Sequence, residues 1–246
     1  MHDMTFWVAA CLAAVFVGMS KGGLPVIGML SVPVMSLVIP PLTAAGLLLP
    51  VYVVSDMFGL VAYRRDFNGR VLVLMMVAMT IGVGIGWATA HLVPESWVTV
   101  LVGVIGTAFA LNFILRRGQS AEARQMRVAP GLFWGTISGF TSFVSHSGGP
   151  PFQMYVLPLK LSKTVFVGTT TIAFAYVNTL KLIPYYALGQ LSLDNLHIAA
   201  VLAVPAGLAV FAGVRLVKVL PEALFFKVVI WALLAVSLKL IWDGLV

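Results

Sequence analysis

Lys21-Gly22-Gly23 and Ser145-His146-Ser147-Gly148-Gly149 are the stretches whose residue types suit chemistry, because each sets hydrogen-bond donors beside glycines inside an apolar run. Lysine, imidazole and hydroxyl groups donate hydrogen bonds. A helix that restarts after a glycine break adds unpaired backbone N–H groups at the end where its dipole favours an anion. Glycine gives the break its φ freedom and lets a ligand approach the backbone. Each stretch runs on into proline, as Gly22-Gly23-Leu24-Pro25 and Gly148-Gly149-Pro150-Pro151. Together these types describe a pocket for a small oxyanion, lined by two broken-helix tips.

Asp56, Asn178 and Lys181 set polar or charged groups within otherwise apolar segments. An aspartate in such a place is costly unless it is paired, coordinates an ion or carries a proton. Two readings of Asp56 stand side by side. It carries a coupling proton or pairs with Lys21 when the site is empty, or it forms a static buried pair that fixes packing. Lys181 follows Asn178 by three residues and projects from nearly the same helix face, turned either to the site or to the outer headgroups. Lys21 has interfacial snorkelling as its alternative, and His146 an ordinary interior role. No metal-ligand spacing is present and no cofactor is expected, and the single Cys11 reads as a small packing residue. Ser147-Gly148 suggests an intramembrane serine nucleophile, yet His91 and His197 sit near segment ends and offer no base. An enzyme is not expected.

These residues need a membrane around them. With 61% hydrophobic and 9% charged residues among 246, the chain falls far below the roughly 25% charged residues of soluble domains. Six apolar segments, about 42–63, 71–92, 96–115, 164–187, 195–214 and 223–242, each approach the ~20 residues that cross a bilayer as helix. The arms flanking the first break, about 4–17 and 26–39, would reach only ~21 Å each as helix, short of a core ~30 Å thick. They predict a re-entrant hairpin, and residues 130–160 repeat the design with Pro150, Pro151 and Pro158 limiting the returning arm. Tryptophans 7, 97, 134, 231 and 242 fall mostly near segment ends, as interfacial anchors do.

The two halves match along their length. Gly46 pairs with Gly168, Asp56 with Asn178, Tyr63 with Tyr185, Gly86 with Gly213, and His91-Leu92-Val93-Pro94-Glu95 with Lys218-Val219-Leu220-Pro221-Glu222. The spacing predicts an all-α integral membrane protein built as two repeats, about 1–116 and 130–246, joined by a basic linker, about 117–129. Each repeat holds a broken hairpin and three full crossings, so the copies are inverted relative to each other, the pattern of secondary transporters. Hairpin parity also gathers Arg64, Arg65, Arg70, Arg116, Arg117, Arg124, Arg127, Lys160, Lys163, Arg215 and Lys218 on one face, which the positive-inside rule makes cytoplasmic. His2, Asp3, His91, Glu95, Asp194 and Asp243 collect on the other, together with both termini. The formal charge of +7 is thus a topology signal and not a nucleic-acid surface. The partners expected are lipid and a small anion.

At Gly18-x-x-x-Gly22-Gly23-x-Pro25, at Ser147-Gly148-Gly149-Pro150-Pro151 and in its hydrophobic profile, the chain resembles the sulfite exporter TauE/SafE family of membrane permeases. The resemblance implies transport of sulfite or organosulfonates, usually outward, across a prokaryotic plasma membrane. It also implies that Lys21, Gly22, Gly23, His146, Ser147, Gly148 and Gly149 line the path. An ion-coupled uptake permease and an anion channel are the alternatives.

Overall fold

The computed structural model describes residues 3–25, 27–90, 92, 94–115, 123–189 and 193–245. His2, His91, Arg116 and Arg117, which enter the charge pattern above, lie outside the described residues, as do the side chains of Glu95 and Asp194.

Helices account for nearly all of what is described: α1 (Met4–Lys21), α2 (Ser31–Met35), α3 (Pro41–Tyr63), α4 (Gly69–Ala88), α5 (Glu95–Leu115), α6 (Val128–Ser145), α7 (Gly149–Val156), α8 (Lys163–Ala187), α9 (Leu193–Val219) and α10 (Glu222–Leu245). Side chains cap the starts of α1 and α4. The Asp3 carboxylate accepts from the Phe6 amide at 2.9 Å, and the Asn68 side chain from the Val71 amide at 3.1 Å. The six predicted crossings are α3, α4, α5, α8, α9 and α10. Seven helices are long and apolar enough to cross a membrane among the described residues, and the seventh is α1. The short first arm expected from the sequence is therefore corrected: helix continues through Gly18, Ser20 and Lys21 for 18 residues, about 27 Å. Only the returning arm is short, a 3-10 turn over Ile27–Leu30 followed by the five residues of α2.

Two compact units form, and each draws on both halves of the sequence. The first comprises Met1–Asp66 and Thr170–Leu220. In it α1 packs on α9, and their closeness depends on small residues: a methyl at Gly18 would collide with Ala206 and Ala209, and one at Gly22 with Gly213. Phe6, Val17, Met35, Leu48, Tyr52 and Leu202 belong to its core. Cys11, read above as a packing residue, is instead exposed, as an apolar thiol on a lipid-facing helix surface can be.

The second unit comprises Phe67–Thr169 and Pro221–Val246. Here α6 packs on α4, with Gly82 against Gly139 and Thr136, while α5 packs on α10. Phe166, in the first turn of α8, stacks edge-on with Phe225 and Phe226. The second broken segment is a true hairpin. The Arg124 amide before α6 donates to the Pro158 carbonyl after α7 at 2.9 Å, and the Tyr155 hydroxyl donates to the Arg127 carbonyl at 3.1 Å. Entry and exit therefore lie side by side.

Candidate functional site

In the first unit, α1 delivers Lys21 at its last residue, where a cation also complements the helix dipole. The ammonium lies 2.8 Å from Asp56 Oδ1. The other carboxylate oxygen, Oδ2, accepts from Asn178 Nδ2 at 2.7 Å. The Lys21 ammonium also stands 5.0 Å from the centre of the Tyr52 ring, a distance at which the ring face attracts a cation. Tyr52 precedes Asp56 by four residues, so α3 presents both to the same lysine. The Tyr52 hydroxyl is fixed in turn, donating to the Gly28 carbonyl at 2.8 Å beside the Ser31 hydroxyl.

Lys181 completes the group from α8, within electrostatic reach of both Lys21 and Asp56. It is 1% exposed, and Lys21 only 5%, so neither extends to an interface. The headgroup reading of Lys181 and the snorkelling reading of Lys21 are both corrected. Asp56 on α3 and Lys181 on α8 are close enough to interact, and a buried carboxylate offers a buried ammonium more than lipid headgroups do. Among the described residues, the buried charged side chains are Lys21, Asp56 and Lys181: two cations for one anion.

The backbone of the first tip does not present free amides as expected. The N–H groups of Gly22, Gly23 and Leu24 donate back to the carbonyls of Gly18, Ser20 and Met19 at 2.9, 3.3 and 3.1 Å. They close the end of α1, whose last carbonyls would otherwise lack partners. Pro25 has no N–H, and no full α-helix restarts there. The glycines act sterically. Gly23 has φ 125°, a region that strains any other residue, and Gly22 lets α9 approach at Gly213. Tyr63 pins the tip by donating to the Gly22 carbonyl at 2.7 Å.

The second tip, in the second unit, is different. His146 ends α6 in the left-handed conformation, φ 52°, which an imidazole side chain tolerates better than a branched one. Ser145 and Ser147 do not point donors outward as expected. Their hydroxyls donate to the carbonyls of Thr141 and Ser145 at 3.2 and 3.0 Å, the usual local alternative for serine in and after a helix. The Ser138 hydroxyl holds the Gly148 carbonyl at 2.7 Å. In the first turn of α7, Pro150 and Pro151 carry no N–H and Phe152 is bonded to Gly148. Among the described residues, the amides of Gly148 and Gly149 are the ones that keep hydrogens without a partner at this tip, and both residues are buried.

Tyr52 and Ser31 were not singled out from the sequence, and Tyr63 only as the counterpart of Tyr185; Tyr52 was within reach, lying one turn before the buried Asp56. No grouping of His, Cys, Asp and Glu suited to a metal occurs among the described residues. No curated protein and no solved structure matches the chain. The family model described as sulfite exporter TauE/SafE matches residues 9–240, nearly the whole chain and both broken segments, so this multi-pass membrane protein belongs to the TauE/SafE family of sulfite exporters.

Proposed function

We propose that the chain is a secondary transporter that moves a small sulfur-containing anion, sulfite or an organosulfonate, outward across a prokaryotic plasma membrane by alternating access. The observation that carries this is the buried group of two lysines and one aspartate. Two amines and a carboxylate gathered in an apolar interior give an oxyanion guest hydrogen-bond donors that the surrounding side chains lack. In the empty state Lys21 is held by Asp56. On binding, Lys21 turns to the anion while Asn178 keeps the carboxylate, so the pair acts as a latch that the substrate opens. Gly22 and Gly23 shape the first tip. At the second tip, the amides of Gly148 and Gly149, with Ser145, His146 and Ser147 as their local bonds exchange, are donors suited to an anion on its path.

Inverted repeats, 1–116 and 130–246 about the linker 117–129, suit this cycle. Support comes from matched elements finding matched partners. The hairpin helix α1 packs on α9, as its counterpart α6 packs on α4. Asp56 and Asn178, which match each other in the two repeats, hydrogen-bond directly, as residues beside an internal twofold axis would. Both termini then face the periplasm or exterior. An inside-negative potential drives a monoanion outward by about 2.3 kcal/mol per 100 mV. Proton-coupled uptake is the rival with an observation behind it, the wholly buried Asp56, since a proton carried with a monoanion makes the step electroneutral and leaves the proton gradient to set its direction.

A thermal-unfolding panel of sulfite, sulfate, thiosulfate, taurine and sulfoacetate on the purified protein tests the substrate class. A true substrate at a hundred times its Kd stabilises the native state by about 2.7 kcal/mol. Stabilisation by none of the sulfur anions would sink the reading.

A further inference from the structure

Gln153 lies one turn inside α7, wholly buried, and neither its carboxamide nitrogen nor its oxygen has a hydrogen-bond partner among the described residues. Leaving both ends of a buried amide unmatched is costly for an interior polar group, and in native proteins such groups call for an explanation. Its surroundings sharpen the point. Helical side chains lean toward the N-terminus of their own helix, which carries the Gln153 carboxamide over the turn of Gly149 and Pro150. Pro150 shares that face, three residues back, and packs at Gly106 of α5, where a side chain would stand 3.3 Å from the Pro150 ring. Ser237 of α10 meets the same glycine, and its hydroxyl, also wholly buried, likewise lacks a partner. The Thr107 hydroxyl, next along α5, is a third. Three helices of the second unit, α5, α7 and α10, thus carry buried polar groups without a partner, and α7 and α10 both pack at Gly106 of α5 through Pro150 and Ser237.

We infer that Gln153 reads whether the transported anion carries a hydrogen of its own. The carboxamide N–H donates to an anionic oxygen, and its carbonyl accepts from an O–H or N–H of the same guest, with Ser237 able to serve either end. A guest satisfying both ends is a hydrogen-bearing anion: hydrogensulfite or a hydroxyalkanesulfonate. A bare anion of equal size leaves the carbonyl unmatched. This rests on the sulfur-anion reading above and narrows it.

The test compares probes matched in size and charge on purified protein and in proteoliposomes: 2-hydroxyethanesulfonate against propanesulfonate, and hydroxymethanesulfonate against ethanesulfonate. Wild-type protein is expected to prefer each hydrogen-bearing member at least about tenfold, since a site built to bond a hydroxyl or amine rejects analogues lacking it. Gln153→Met keeps the shape but removes both the donor and the acceptor, and is expected to weaken every anion and to reduce that preference to within about twofold. Gln153→Glu keeps an acceptor without the donor and is expected to retain the ranking while weakening every anion. Equal handling of the paired probes by wild type overturns this inference alone, and so does a preference that survives Gln153→Met. Failure of wild type to bind any of the probes overturns it together with the sulfur-anion reading. Because the wild-type comparison needs no variant, it decides the matter even where a substitution disturbs folding.

Discussion

Removing the Lys21 ammonium leaves Asp56 without its ion pair inside an apolar interior, and removing the Asp56 carboxylate leaves Lys21 without its own. Breaking a buried pair from one side costs about 3–5 kcal/mol, whereas replacing both partners with neutral groups is often close to neutral. Lys21→Met and Asp56→Ala are therefore each predicted to lower thermal stability sharply, and Lys21→Met combined with Asp56→Asn to recover most of it, as read by unfolding of purified protein. Gly23→Ala is a separate residue-scale prediction. At φ 125° the added methyl costs about 1–3 kcal/mol without touching any charge, so unfolding temperature falls while anion selectivity is unchanged. The sequence showed which residues were out of place in an apolar run. It did not show that Lys21 and Asp56 meet, because that depends on α1 continuing three residues past the Gly18 at which its pattern first weakens.

Among helices, the spacing of glycines on α4 sorts packing from open space. Gly82 is pressed against Thr136 and Gly139 of α6, whereas Gly84 has nothing within 4 Å of where a side chain would begin. Gly82→Ala is expected to destabilise by about 1–3 kcal/mol through overpacking, and Gly84→Ala to change stability by less than about 0.5 kcal/mol. Comparable losses at both positions would show that the α4 and α6 contact is misplaced. The crossing helices were legible because apolar length alone marks them, and the breaks because Gly-Gly-Pro cannot continue a helix. The fate of the backbone amides was not legible. Whether an N–H at a break is free depends on how the preceding helix closes, and at the first tip α1 consumes the donors that composition alone seemed to offer. Gln153 was passed over for a related reason: a lone glutamine between Phe152 and Met154 looks like a minor interruption until its lack of partners is seen.

At the scale of the molecule, the repeat boundary read from matched residues does not coincide with the division into compact units, since each unit takes helices from both halves. Matching the two halves of a sequence suggests equivalent elements but says nothing of their packing partners, so the proposed duplication gave no sign of the interleaving. The charge pattern makes a further prediction at this scale. A periplasmic reporter enzyme fused after residue 246 should be active, and a reporter confined to cytoplasmic folding should be dark; the reverse would invert the assigned topology. The central claim, that the buried charge group works on the substrate and does not merely hold helices together, is tested most directly by flux. Proteoliposomes carrying wild type or the neutral pair Lys21→Met with Asp56→Asn are loaded with labelled sulfite or sulfonate, and efflux is compared at equal amounts of folded protein. The account predicts that the neutral variant folds but loses transport by at least about thirtyfold, the equivalent of about 2 kcal/mol of charge-assisted hydrogen bonding; efflux within about twofold of wild type would contradict it.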